Sequence, residues 1–266
     1  MTLYLTLGCL FLGQAFGPAP DDVDSYVQRL QEDTPLLADR IAIVARDSLG
    51  LTYADGPLGE GPDGAHDTDP LIDLTRVDCV TYVEQTLALA CAANYQDAFD
   101  RLQRIRYRDG KVDYETRNHF MVADWLEENR FCRDVSTELG VSTESLTRTI
   151  SRRDFFQLVK APEVGQDTPD REVTINYIPS AQAEAAAAKL PSPSLIVFIG
   201  NVDWLFALHC GIFIRDADGT GKLYHASSKA GEVVAVDLAE YVAENGSRYK
   251  GFTAYELTDD LEAATK

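Results

Sequence analysis

Cys79, His209 and His225 are the residues whose types and settings suit covalent chemistry. Asp78-Cys79 is followed by Val80, Val83, Leu87 and Ala90 at helical spacing, which predicts a capped amphipathic helix with a thiol in its first turn. The first N–H groups of a helix lack partners within it and its dipole is positive there, so a thiolate is favoured and the sulfur becomes a better nucleophile. A lone cysteine in this setting is more often a small packing residue, so the reading depends on what accompanies it. Downstream, 207–214 is β-like, Asp216 to Gly221 reads as a turn, and 222–228 returns as a second strand. Each strand of that hairpin carries one histidine, His209 on the first and His225 on the second. A helix-borne thiol with two strand-borne imidazoles is what a nucleophile, a base and an orienting group require.

The chemistry such a set supports is amide hydrolysis through a thioester, with backbone N–H groups at the start of the Cys79 helix as oxyanion donors. A metal site is not expected. The five cysteines form no CxxC pair and no evenly spaced framework, and neighbours on a strand alternate faces, so His209 and Cys210 should point to opposite sides. A Cys91–Cys132 bridge has no support in the pattern. No Gly-rich phosphate loop is present and no cofactor is expected.

A net charge of −19 on 266 residues gives a field that repels phosphate backbones, so nucleic acid is excluded as a partner. The 45% hydrophobic content is that of a globular chain with a sizeable core. Residues 1–17 are apolar without an acidic residue, too short for an integral membrane span but suited to a secretory signal peptide, although a positive n-region is missing. Gly13-Gln14-Ala15 would serve for cleavage, and Leu7-Gly8-Cys9 is a loose lipid-attachment pattern; a hydrophobic N-terminal helix is the alternative. Residues 18–266 are expected to form a single domain.

The elements that must position the three residues follow in order. Val27, Leu30, Leu36, Leu37, Ile41 and Val44 predict two helices broken near Thr34-Pro35, and 50–78 a long irregular entry with Tyr53 as a lining residue or a packed tyrosine. After the Cys79 helix come a helix at 98–106, a turn at 107–110, and Arg117 and His119 leading into a helix with Met121 and Trp125 on one side. Arg117 and His119 either contact a polar substrate or form a buried hydrogen-bonded pair. Residues 131–160 read as caps and exposed helix faces, and the alanine-rich 181–190 as a short helix. Strands are expected at 194–199, 206–214, 223–226, 233–236 and 252–257, with a helix at 238–244. Helices first and strands afterwards imply an α+β fold with helices packed on an antiparallel sheet.

Asp78-Cys79, His209-Cys210-Gly211-Ile212 and Tyr224-His225-Ala226-Ser227-Ser228 resemble the catalytic segments of the NlpC-type papain-like cell-wall hydrolases. More narrowly, Asp78 to Glu84, Ile105-Arg106-Tyr107-Arg108-Asp109-Gly110 and Arg117-Asn118-His119-Phe120 with Asp124-Trp125 resemble the bacterial N-acetylmuramoyl-L-alanine amidase-like group. The resemblance implies a papain-like core, a helical N-terminal half carrying the nucleophile, Cys79 as nucleophile, His209 as base and acid, and His225 as orienter. It also places Tyr53 beside the nucleophile, although the aromatic and double glycine that usually follow are absent from Ala54-Asp55-Gly56. Cys210 stands where an aliphatic residue is commoner. The implied substrate is peptidoglycan or a muropeptide, met by Tyr53, Asp78, Arg117 and His119, and cut by an exported, periplasmic enzyme. An endopeptidase for the D-glutamyl to diamino acid bond and a non-catalytic wall-binding module are the alternatives.

Overall fold

The computed structural model describes residues 19–265 except Trp204 and Ala217; the segment read as a signal peptide therefore lies outside the described residues. The chain opens with α1 (Pro20–Asp33) and α2 (Leu37–Asp47), each burying one stripe: Val23, Tyr26, Val27 and Leu30 on the first, Leu37, Ile41, Val44 and Ala45 on the second. Two short parallel strands, β1 (Thr52–Tyr53) and β2 (Arg76–Val77), bracket the long entry loop. Then come α3 (Cys79–Cys91) and α4 (Tyr95–Arg106). A π-helical turn over Met121–Trp125 runs into α5 (Leu126–Glu128), followed by β3 (Cys132–Asp134).

Next are β4 (Glu144–Ile150), α6 (Arg152–Leu158), β5 (Arg171–Pro179) and α7 (Ala183–Ala187). The remainder is β6 (Ser194–Gly200), β7 (Ala207–Arg215), β8 (Gly221–Ser227), β9 (Glu232–Val236), α8 (Leu238–Glu244), β10 (Tyr249–Leu257) and α9 (Asp260–Ala264). The strands run in the order β2-β1-β9-β8-β7-β6-β10-β5-β4, with β3 paired to β10. This is a mixed α+β architecture, antiparallel apart from the β1–β2 pair.

Helices cover both faces of the central strands. Alternate residues of β6 divide between two cores: Leu195, Val197 and Ile199 join the core under α1 to α4, while Ile196 and Phe198 join the core under α7 and α8. That division follows from the period of two along a strand, and it explains why all of β6 is apolar rather than alternating. The same alternation on β7 and β8 sends Cys210, Ile212, Tyr224 and Ala226 toward α3.

The helix α3 is the axis of the larger core. The sequence predicts an amphipathic helix, but Thr81 to Cys91 are all buried, because α2, α4, β7 and β8 surround it. Burying Glu84 in such a place requires a partner. Arg106 supplies one at 2.5 Å to Oε2, and the Trp125 indole N–H donates to Oε1 at 3.0 Å. Arg106 also donates to the Leu58 carbonyl at 3.2 Å, so this network ties α3, α4, the π turn and the entry loop together.

One region differs from the sequence reading. Residues 144–150, read as helix face, form a strand, β4, which pairs antiparallel with β5, a segment to which the sequence reading gave no element. Most of β4 is exposed and only Leu146 and Ile150 on it are apolar, whereas Val173, Ile175 and Tyr177 of β5 do follow the period of two of a strand. Cys91 and Cys132 are both free thiols. Among the described residues no helix is long and apolar enough to cross a membrane.

Candidate active site

The start of α3 is fixed by reciprocal capping. The Asp78 carboxylate accepts the Thr81 backbone N–H at 2.7 Å, and Thr81 Oγ1 accepts the Asp78 N–H at 2.9 Å. Cys79 is thereby the first helical residue, with its sulfur at the positive end of the dipole. Burial, then the neighbouring Cys79 charge, pushes the Asp78 carboxyl up to about 6.

His209 reaches this end of α3 through a bulge. Phe198 pairs with His209 but Ile199 pairs with Ala207, so Leu208 is the extra residue and the strand turns locally. The His209 ring stacks on Phe198 at 5.8 Å between centroids. His225, two per cent exposed, lies edge-on to it at 4.8 Å and packs against Tyr241 of α8, also at 4.8 Å. A bond of 2.8 Å joins His209 Nε2 to His225 Nδ1.

Gly211 makes this approach possible. A Cβ there would stand 2.7 Å from the Tyr224 carbonyl oxygen and 2.9 Å from the His225 Cβ.

Protonation states follow from the surroundings. Burial, reinforced by His209, holds His225 down to about 3, so it is neutral at physiological pH. The Cys79 thiol is held well below its ordinary value, chiefly by a hydrogen bond from the Cys210 thiol, against the upward push of burial and with help from His209. Cys210 is pushed the other way by the same contact and by burial, and so keeps its proton. Its single Sγ–H lies 3.2 Å from the Cys79 carbonyl oxygen and is shared between that oxygen and the sulfur. His209 and Cys210 leave β7 on different sides, toward Phe198 and into the core around α3, yet both bear on Cys79, so the expectation that they could not serve one site is corrected. Cys210 is a site residue that strand periodicity alone did not reveal.

The other candidates take different places. Tyr53, half-buried on β1, has its phenol pushed up by burial and then by the charge of Cys79. His119 shares with Cys79 a cavity of about 250 Å³, together with Asn118, Met121 and Leu208. Its Nε2–H donates to the Tyr114 carbonyl at 2.7 Å, and burial holds it at about 3, so Nδ1 is an acceptor. Arg117 is engaged by the entry loop: its Nε donates to Glu60 at 2.8 Å and its Nη2 to Asp67 at 2.8 Å. Arg117 and His119 do not bond each other in the described contacts; each is held by a different partner. Asn118 stood in a quoted motif without an assigned role, and Tyr241 carried no sequence signal.

A thiol of depressed pKa, an imidazole beside it and a neutral imidazole behind that one define a site fitted to nucleophilic acyl transfer on an α+β scaffold. A family model described as AmiA-like, N-acetylmuramoyl-L-alanine amidase-like, matches residues 43–248, and the chain belongs to that family. A Legionella pneumophila protein of the family model DUF1460 superposes with a TM-score of 0.80 at 23% identity, covering 90% of this chain and 95% of that one, which speaks for the fold alone. An N-acetylmuramoyl-L-alanine amidase from Bacteroides uniformis superposes with a TM-score of 0.67 at 28% identity, covering 84% of this chain and 99% of that one. No curated protein matches the chain.

Proposed function

We propose that this protein is an exported, periplasmic cysteine amidase of NlpC-like, papain-like architecture. It hydrolyses the amide between N-acetylmuramic acid and L-alanine in peptidoglycan or released muropeptides, and residues 18–266 form its single catalytic domain. The observation that carries the reading is the 2.8 Å bond between His209 Nε2 and His225 Nδ1. Neutral His225 is assigned the tautomer with its proton on Nε2, so that it accepts at Nδ1; His209 then donates from Nε2 and keeps Nδ1 as its basic nitrogen for the thiol of Cys79.

The steps balance with these groups and water alone. His209 takes the Cys79 proton, and the thiolate adds to the lactyl carbonyl carbon. The oxyanion meets N–H groups at the start of α3 and the Tyr53 hydroxyl, donors of the kind whose loss costs roughly 10²- to 10³-fold. The C–N bond breaks as His209 passes its proton to the alanine nitrogen, leaving a thioester on Cys79 and a free stem peptide. Water then adds to the thioester, gives a proton to His209, and the lactyl carboxylate leaves as the thiol is restored.

Mass spectrometry of a muramyl tetrapeptide incubated with the enzyme tests this. Release of intact tetrapeptide supports the bond assignment, whereas cleavage inside the stem moves the activity to the D-glutamyl to diamino acid bond. No cleavage of any muropeptide would favour a wall-binding module.

A further inference from the structure

The cavity beside Cys79 does not end at Asn118. That residue also lines a second cavity of about 280 Å³, so the two cavities lie on either side of Asn118. Three arginines from separate elements converge on the far cavity: Arg108 after α4, Arg152 at the start of α6 and Arg171 at the start of β5. Three carboxylates, Asp124, Glu127 and Glu128, line the same cavity, so what sets it apart is how these charges pair.

Two of the three have their counter-ions. Arg152 bonds the buried Asp124 at 2.7 Å, and Arg171 spans Asp124 at 3.3 Å and Glu127 at 3.0 Å. Arg108 differs. Its backbone is held, with the N–H on the Thr116 carbonyl at 2.9 Å, while its exposed guanidinium has no hydrogen bond or ion pair among the described residues. The exposed Glu128, in the same cavity, is likewise without an ion pair among the described residues and opposes an anionic ligand.

We infer that this groove is the subsite for a carboxylate of the stem peptide, with Arg108 as its principal contact. The inference rests on the proposed amidase reading. On the acyl side of the scissile amide stands an uncharged lactyl sugar; on the amine side stands a peptide whose second residue and C-terminus carry carboxylates. A planar guanidinium matches a carboxylate through two parallel N–H bonds and finds no such partner on the sugar. The groove thus fixes the substrate's direction: the sugar lies away from Asn118 and the peptide passes over it toward Arg108.

The test compares a muramyl tetrapeptide with versions amidated at the second residue or at the C-terminus. Arg108→Gln should raise KM about 10-fold on the free acid with kcat within about twofold, the size of one charged contact at 1.4 kcal/mol per decade. It should change nothing on whichever amide has lost the bound carboxylate, and Glu128→Gln should lower KM on the free acid. Equal losses on all three substrates, or none on any, would overturn the subsite. Calorimetric binding of the released tetrapeptide to Cys79→Ala, with and without Arg108→Gln, reads the groove without cleavage. Intact peptide affinity that Arg108→Gln weakens, beside a wild-type enzyme that cuts nothing, would sink the amidase reading alone.

Discussion

In the proposed mechanism neutral His225 offers a lone pair at Nδ1 to the N–H on His209 Nε2, which leaves His209 Nδ1 for the thiol. His225→Ala should therefore lower kcat by about 10- to 100-fold, with Cys79 still alkylated by iodoacetamide, because direction rather than the nucleophile is lost. Cys210 acts on the sulfur itself. Its buried, protonated thiol donates toward Cys79, so Cys210→Val should move the inflection of the alkylation rate against pH upward, and Cys210→Ser should restore it in part. An unchanged inflection in Cys210→Val would leave Cys210 a packing residue. The pairing of Cys79 with two strand histidines was legible from residue type and spacing. The part played by Cys210 was not, since it depends on where α3 ends against β7.

At the scale of elements, the site depends on how closely β7 and β8 approach. Gly211 leaves room for the Tyr224 carbonyl and the His225 Cβ, so Gly211→Ala must push β8 away and separate the two imidazoles. A misplacement of about 1 Å can cost 10²-fold in rate, and overpacking costs roughly 1–3 kcal/mol. The variant should thus show a lower Tm and a kcat reduced at least about 10-fold, read by calorimetry and turnover together; wild-type turnover would show that β8 need not be held there. The strands from β6 onward and α8 were readable because apolar runs alternate with turn residues. β4 was not, since Leu146 and Ile150 are its only apolar residues and its pairing is decided by a segment 21 to 33 positions away, while β5 carries the alternating Val173, Ile175 and Tyr177. Arg117 illustrates the same limit, for its ties to Glu60 and Asp67 join segments fifty or more positions apart.

For the whole molecule, two buried histidines set a dependence on acidity. His119 and His225 stand near 3 in the folded protein against about 6.5 when exposed, so between those values the unfolded chain binds more protons. Stability therefore rises with pH across that window and is lost on acidification, by up to about 1.4 kcal/mol per unit for each histidine. Asp78, raised to about 6, works against them between about 4 and 6 as a single group. Urea midpoints from pH 7 to pH 4 should fall, and His225→Gln should flatten the slope; an equal slope in both would deny that burial holds His225 neutral. The large folded scaffold, with Glu84, Arg106 and Trp125 joined at its centre, accounts for motif residues that never reach the site.

The most direct test of the account is the intact mass of enzyme quenched in acid during turnover of a muramyl tetrapeptide, followed by peptide mapping. The account predicts an N-acetylmuramyl increment on the peptide carrying Cys79 in the wild type, and neither increment nor released tetrapeptide with Cys79→Ala. Tetrapeptide release by Cys79→Ala at the wild-type rate would contradict it.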